Sequence, residues 1–332
     1  MSLFSLFRHH YLIAGLLSFC ALVIPPTVSA DWPDKPITFV VGFGVGGSAD
    51  RTARAMATFL PEELGQPVLV VNKPGAGSRL AAEYVLNFPD DCNTLLATAL
   101  TPYLTNTILT GGAPYSIDDF AYINGQWNDW DVLLVNKDTQ FSTLKDLIDT
   151  IKSKPRSVRQ QLIYGGSNHL NTLLLLEALD IPRDHVKIVP YEGGGKARAA
   201  LAGGVVDFGI DAAEGSVGIA DFVRPLAVFR ENKHKIWDAP PINEALRSFG
   251  VTMPIVSGSM RGLATSAACK RARPDRFLKL VAAVQNTLKR KDVQKFLRRS
   301  GVGGEFLGPD TTTQRVKQQL TLYKKYAPLM KE

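Results

Sequence analysis

A glycine-rich stretch near the start of the chain has the residue types and spacing of an anion-binding loop. Residues 42–50 read GFGVGGSAD, follow the apolar run 37–41 and lead into a segment with helical spacing, residues 49–64. Glycines let the backbone approach a ligand closely, and a helix that begins here points free N–H groups and its positive dipole end at that ligand. The pattern favours an anion site; the alternative is a tight turn that needs glycine for its backbone alone.

The same loop also fits the dinucleotide-binding pattern G-x-G-x-x-G through Gly42, Gly44 and Gly47. That pattern needs an acidic residue after the second strand to hold the ribose, but Asn72 and Lys73 stand there. The first 30 residues also read as an export signal, whereas nicotinamide cofactors are cytoplasmic. We therefore predict no nucleotide cofactor, and no cofactor of another kind.

Three more glycine-rich turns repeat this arrangement along the chain. They are residues 72–78 (NKPGAGS), 165–169 (GGSNH) and 190–195 (PYEGGG), and each follows a short apolar run. Their backbone N–H groups can add to one anion site, and Tyr191 offers an apolar ring and a hydroxyl to line a cleft. The alternatives are a structural turn with a serine cap for the first of them, and an ordinary, partly exposed side chain for His169.

Catalytic and metal-binding arrangements are missing from the sequence. There is no G-x-S-x-G, and the paired carboxylates at residues 90–91 and 118–119 fall in predicted loops, where they are solvated or cap a helix. The five histidines have no metal spacing. We therefore predict neither an enzyme nor a metal site. Cys92 and Cys269 are compatible with a disulfide or with two buried free thiols.

Short apolar runs alternate with helical segments and must position these turns. The predicted strands are residues 37–41, 68–71, 94–98, 132–135, 162–164, 186–189, 208–210 and 226–228. Such alternation is typical of an α/β fold, here with two parallel-rich lobes. We assign residues 31–130 and 255–332 to lobe I and residues 131–254 to lobe II. Because open α/β sheets bind ligands at the carboxyl ends of their strands, we expect a ligand cleft between the lobes. Trp127 and Trp130, near the crossing, are expected in the core or hinge, or else in the cleft lining.

The first 30 residues have the features of a cleaved export signal. Arg8 precedes an apolar run at residues 11–24, and residues 28–30 (VSA) resemble a cleavage site. The alternative is an uncleaved anchor, for which the run is short. Without these residues the formal charge falls from +7 to +6, since 37 basic and 31 acidic side chains remain (37 − 31). This modest, dispersed excess favours no nucleic-acid partner but suits the steering of anions.

Several motifs, taken in order, resemble a known family. They are residues 32–37 (WPDKPI), 42–54, 64–68 (LGQPV), 72–77, 189–195 (VPYEGGG), 203–207 (GGVVD) and 224–228 (RPLAV). Over essentially the whole mature chain, the sequence resembles the extracytoplasmic solute receptors of tripartite tricarboxylate transporters, also called the Bug family. It departs from the family pattern at Cys92 and Asn93, at Lys73 and at Met260, which stands where tryptophan is expected. These departures leave the identity of the ligand open.

The resemblance implies a two-lobed periplasmic-binding-protein (Venus flytrap) fold and a periplasmic location. It also implies that the loops at residues 44–50 and 74–78 hold a ligand carboxylate, while residues 166–168 and 191–192 approach from the second lobe. The residues expected at the ligand are Phe43, Gly44, Val45, Gly46, Gly47, Ser48, Ala49, Asp50, Ala76, Gly77, Ser78, Thr98, Gly166, Ser167, Asn168, Tyr191, Glu192 and Asp211.

The partners that the resemblance implies are a small carboxylate solute and the membrane subunits of a tripartite transporter. We expect the protein to be a monomer. The alternative function is that of a ligand-binding adaptor for a periplasmic sensory or signalling system, which would use the same fold and ligand. An enzyme is the third class, and the missing catalytic residues argue against it.

Overall fold

Short runs of β-branched and aliphatic residues form the strands of two sheets. The structure is a computed structural model that describes residues 31–88, 90–256 and 258–331. Within these ranges the strands are β1 (Ile37–Val41), β2 (Val68–Asn72), β3 (Thr94–Thr101), β4 (Phe120–Asn128), β5 (Asp131–Asn136), β6 (Arg159–Leu162), β7 (Lys187–Pro190), β8 (Phe208–Ala212), β9 (Val223–Val228) and β10 (Met260–Ser266).

The helices of the described residues alternate with these strands and cover the faces of the sheets. They are α1 (Ser48–Leu64), α2 (Arg79–Leu86), α3 (Tyr103–Leu109), α4 (Leu144–Ser153), α5 (Ser167–Ala178), α6 (Gly194–Ala202), α7 (Ile242–Ala245), α8 (Ala267–Ala272), α9 (Pro274–Lys289), α10 (Lys291–Arg299) and α11 (Gly308–Lys331). Short 3-10 turns lie at Ala76–Ser78, Ile117–Asp119, Arg183–His185, Glu214–Phe222 and Leu246–Phe249. None of the helices in these described ranges is both long and apolar enough to cross a bilayer.

The two sheets share one topology. The first has the strand order β2-β1-β3-β10-β4 and the second the order β7-β6-β8-β5-β9. In each sheet three neighbouring strands run parallel, and the fourth, β10 or β5, is antiparallel to both of its neighbours. Both reversed strands are the first after the chain crosses from one sheet to the other. The predicted α/β class with two lobes is confirmed, although each sheet is mixed.

Separate hydrophobic cores support the two sheets. The first sheet packs Phe39 and Met56 with α9, while the second packs Leu133 and Leu170 against one another. Helix α11 contributes to both, since Val316 lies in a cluster of the first sheet and Tyr323 in the core of the second. The division at residues 130 and 254 stays a prediction, and α11 connects the two parts that it separates.

A disulfide joins Cys92, just before β3, to Cys269 in α8, with their Cα atoms 5.4 Å apart. Both cysteines are buried, so the bond ties the amino end of β3 to the C-terminal part of the chain inside the first core. Of the two alternatives that the sequence allowed, the disulfide is therefore confirmed. The predicted export signal, residues 1–30, lies outside the described residues.

Candidate functional site

The loop between β1 and α1 brings backbone N–H groups to the cleft. Helix α1 begins at Ser48, and Gly47 before it has an extended backbone and no side-chain cap. The loop turns at Gly46, whose φ of +79° favours glycine. The N–H of Gly46 donates to the Asp50 carboxylate at 2.9 Å. Because no side chain of the described residues caps α1, its first N–H groups point to the cavity without an acceptor from that part of the chain.

Asp50 holds this loop in place from inside the first lobe. Its buried carboxylate also accepts hydrogen bonds from Arg54 and from Asn72, whose amide nitrogen in turn donates to the Phe43 carbonyl. Burial alone would raise the pKa of Asp50, but these hydrogen bonds outweigh it and lower that pKa. Asp50 therefore stabilises the conformation of the β1–α1 loop.

Three helices begin at one cavity between the sheets. Its lining includes the first residues of α1, α5 and α6, namely Ser48, Ser167 and Gly194. The cavity measures about 40 Å³, and Phe43 and Tyr103 close one side with rings 5.0 Å apart. Since each helix N-terminus carries a partial positive charge and free N–H groups, their convergence makes this cavity suited to an anion.

Ionisable side chains form the remaining wall of the cavity. Arg198 of α6 and Asp211 of β8 line it, with Arg198 Nη1 3.7 Å from Asp211 Oδ2. Arg261 of β10 also lines it and contacts Asp129 at 3.1 Å. Asp131, at the start of β5, completes the set. No three acidic, histidine or cysteine side chains of the described residues are arranged to hold a metal ion.

Burial raises the pKa of the two acids in the lining, Asp131 and Asp211. It raises the pKa of Asp131 to about 7, with Asp129 and Asp211 adding to the rise and hydrogen bonds from Ser167 and Asn171 opposing it. Burial also raises the pKa of Asp211, against the pull of Arg198. Such carboxyl groups keep their charge near neutral pH only when a cation faces them.

A second, open groove lies beside this cavity and has a volume of about 430 Å³. The two share Phe43 and Ile163 in their linings. The groove is lined by several residues that the sequence assigned to the ligand, namely Ala76, Gly77, Ser78, Tyr191 and Glu192. Some of the predicted residues therefore line the cavity, some line the groove, and the rest line neither.

The cavity is lined by seven of the predicted residues. These are Phe43, Gly47, Ser48, Ala49, Ser167, Asn168 and Asp211. Thr98 lines neither space and hydrogen-bonds Ser78 through its hydroxyl at 2.7 Å. Gly166 precedes α5, where a Cβ would lie 2.2 Å from the Tyr103 hydroxyl oxygen. Whether each of these residues contacts a ligand stays a prediction.

The tip of the β1–α1 loop faces the second lobe rather than either space. A Cβ at Gly193 would lie 3.3 Å from the Gly44 nitrogen, and one at Gly195 would lie 3.0 Å from the Gly46 carbonyl carbon. The Val45 side chain is exposed. The predicted residues Gly44, Val45 and Gly46 thus lie where the backbones of the two lobes meet.

Hydrogen bonds also join the lobes around the cavity. Arg51 of α1 donates to the Gly215 carbonyl at 3.1 Å, and the Trp127 indole donates to Glu214 at 2.8 Å. Trp127 is 1% exposed, and the Arg261 guanidinium lies over its ring, 4.6 Å from the centroid. Of the alternatives for Trp127, the structure supports packing at the crossing. These contacts join the two lobes beside the cavity.

Sequence reasoning did not assign four polar side chains of the lining to the ligand: Tyr103, Asp131, Arg198 and Arg261. Arg198 had a detectable signal, because it lies four residues after Gly194 and so on the same face of α6. Arg261 and Asp131 are each the one charged residue of a buried strand, which was a second signal. Tyr103 begins a helix directly after β3 and had none.

Two α/β lobes that close over a cavity at the carboxyl ends of their strands define a two-lobed binding protein of the periplasmic type. The family model described as "Tripartite tricarboxylate transporter family receptor" matches residues 52–329, and the chain belongs to this family of solute receptors. The protein BugT of Bordetella pertussis is 30% identical over 197 residues, which is 58% of this chain and 60% of BugT. The matches span only 60–64% of the length of such curated relatives.

Solved structures agree over nearly the whole chain. The Rhodopseudomonas palustris protein Rpa4515 with adipate is 26% identical with a TM-score of 0.76, covering 90% of this chain and 98% of that one. MatC from the same organism, with bound malate, is 24% identical with a TM-score of 0.77, covering 89% and 99%. At 24% identity, the similarity to MatC shows the fold alone.

Proposed function

We propose that this chain is a periplasmic receptor that captures a small carboxylate in the cavity at the three helix N-termini and delivers it to the membrane subunits of a tripartite transporter. The observation that carries the proposal is the meeting of three helix N-termini with Arg198 and Arg261 at one cavity. This arrangement supplies backbone donors, dipoles and two cations to an anion. The adipate bound by Rpa4515 supports the ligand class.

In this proposal the ligand carboxylate accepts hydrogen bonds from the N–H groups of Ser48 and Ala49 at the start of α1. The residues of the second lobe, led by Ser167 and Asn168, reach the ligand from the opposite side. Because each lobe offers only part of the site, the solute enters with the lobes apart and is enclosed as they close. Export by residues 1–30 belongs to the same proposal, and the mass of periplasmic material is expected to place the mature N-terminus at Asp31.

Thermal unfolding with a panel of small carboxylates tests the binding step. A ligand at about 100 times its dissociation constant stabilises the folded state by about 2.7 kcal/mol. We expect at least one member of a panel of mono-, di- and tricarboxylates and amino acids to give a shift of this size. A panel without any such shift would contradict the proposal, as would conversion of a carboxylate to a product.

Delivery is tested by uptake into vesicles that contain the membrane subunits. Adding this receptor with the ligand found above is expected to start accumulation, while the receptor with its ligand site blocked is not. If uptake proceeds equally without the receptor, and loss of its gene abolishes only a cellular response to the ligand, the protein is the sensory adaptor instead.

A further inference from the structure

One carboxylate oxygen of the cavity wall has no donor from the described part of the chain. Asp211 is 6% exposed, and its Oδ1 accepts from the Ala212 N–H at 2.7 Å. Its Oδ2 makes no hydrogen bond there and lies 3.7 Å from the Arg198 guanidinium, beyond hydrogen-bonding distance. A buried carboxylate oxygen without a donor destabilises the folded state, so we expect a ligand in the cavity to donate a hydrogen bond to this atom.

A second acid lines the same wall. Asp131 is 3% exposed and receives a hydrogen bond from the Asn171 amide at 2.8 Å. Its pKa is raised to about 7, chiefly by burial, so the folded protein holds its charge weakly. A cation beside Asp131 and Asp211 would favour the ionised form of both carboxylates.

The cations of the wall are already balanced by acids. Arg198 faces Asp211, and Arg261 is 3.1 Å from Asp129, whose carboxylate also accepts the N–H groups of Glu214 and Gly215. The lining therefore contains two arginines and two acids. A solute with two negative charges would place one of them against the acids, whereas a solute with one charge of each sign matches both parts of the wall.

Building on the function proposed above, we infer that the solute is a small α-amino acid, with its carboxylate at the helix N-termini and Arg198 and its ammonium group at Asp211. The volume of about 40 Å³ left between the closed lobes has room for roughly two or three water molecules and favours the smaller amino acids. A protonated amine supplies three donors, one of which reaches the free Oδ2.

Calorimetric titration of matched ligands tests the inference directly. Three series keep the carbon skeleton and vary one group: alanine, lactate and propionate; aspartate, malate and succinate; glutamate, 2-hydroxyglutarate and glutarate. In at least one series we expect the amino acid to bind roughly 10- to 100-fold tighter than the other two, the range for a charge-assisted hydrogen bond. This comparison uses the unmodified protein and does not depend on the folding of any variant.

Asp211→Asn identifies the acid responsible, because it keeps the side-chain size and removes the charge. The variant is expected to lose at least tenfold of the preference for the amino acid. Asp149→Asn is the matched control, since Asp149 pairs with Lys145 on an exposed face of the same lobe, and it is expected to keep the preference. If Asp211→Asn does not fold, Asp131→Asn takes its place.

Each outcome separates this inference from the proposed function. If in every series the hydroxy acid or the unsubstituted acid binds as tightly as the amino acid, the ammonium assignment is overturned and the carboxylate receptor stands. A preference that survives both Asp211→Asn and Asp131→Asn overturns the role of the acids. If no member of the three series or of the wider carboxylate panel binds, the proposed function fails together with the inference.

Discussion

The two walls of the cavity are built from different chemistry. One wall is made of backbone N–H groups, among them those of Gly47, Ser48 and Ala49 at the start of α1 in the first lobe. The other wall is made of ionisable side chains, with Arg198 and Asp211 from the second lobe and Arg261 from the first. Backbone N–H groups can donate to any carboxylate, because they contact only its oxygens and its charge and not the rest of the molecule. The charged wall must therefore decide which carboxylate is bound, and the comparison predicts that changes there alter selectivity most.

Replacing Arg198 with methionine should have the largest effect. The change removes a cation from the wall and leaves Asp211 buried without it, so we expect ligand binding to weaken by about 2–5 kcal/mol. Arg159→Met is the control, since Arg159 pairs with Asp207 at the end of the second sheet that lies away from the cavity. Titration calorimetry on both variants measures their ligand affinities. Equal affinities would mean that the charged wall does not contribute to binding.

Removing the disulfide should separate stability from binding. The double change Cys92→Ser and Cys269→Ser frees the amino end of β3, far along the strands from the cavity at their carboxyl ends. We expect a loss of about 2–4 kcal/mol in the free energy of unfolding, measured with urea. Ligand affinity should stay unchanged. A drop in affinity as large as the drop in stability would mean that the two ends of the lobe are coupled.

Gly47→Val tests the backbone wall and should have a smaller effect. A Cβ at Gly47 would lie 3.2 Å from the Gly44 carbonyl oxygen, so the loop must shift and carry the N–H of Ser48 with it. We expect binding to weaken by about 1–3 kcal/mol, the usual cost of overpacking. Lys73→Ala is the control, because Lys73 lies over the Tyr84 ring outside the cavity. A greater loss of ligand affinity with Lys73→Ala would mean that a salt bridge to Lys73 holds the ligand, and not the backbone N–H groups.

The pH dependence of stability should report Asp131. Its pKa is raised from 3.8 to about 7, so between these values the folded state keeps a proton that the unfolded state has released. Stability from this group is therefore full below about pH 4 and declines by up to about 1.4 kcal/mol per pH unit as the pH rises towards 7.

His169 works in the opposite direction, since burial lowers its pKa from 6.5 to about 4 and stability from it rises with pH in that range. The difference between the wild type and Asp131→Asn isolates the aspartate. We expect urea unfolding at pH 5, 6, 7 and 8 to show a wild-type advantage over the variant that shrinks with rising pH. A difference that stays constant would mean that Asp131 is ionised throughout.

The sequence predicted the backbone wall far better than the charged wall. Strand–glycine–helix patterns are local, so the start of α1 and that of α5 were both placed in advance at the cleft. Arg198, Asp131 and Arg261 come from separate elements that only the tertiary fold brings together. A single sequence contains no information on which of these charges face one another.

The strands that sequence reasoning missed or displaced have a related cause. Strand β6 reads RQQL, and its Gln160 is buried because its amide donates to the Thr172 hydroxyl at 2.6 Å. Strand β4 buries Asn124 and Gln126 in the same way, against carbonyl oxygens of Glu305 and Gly303. Since the acceptors are distant in sequence, the polar residues obscured the apolar pattern of buried strands.

A crystal structure of the protein with its bound solute tests the central claim most directly. The decisive distances join the solute carboxylate oxygens to the backbone nitrogens of Ser48 and Ala49. The account predicts at least one distance of roughly 2.7–3.2 Å, with the rest of the solute facing Arg198 and Asp211. A solute bound in the open groove between Gly77 and Tyr191, with no oxygen near the start of α1, would contradict it.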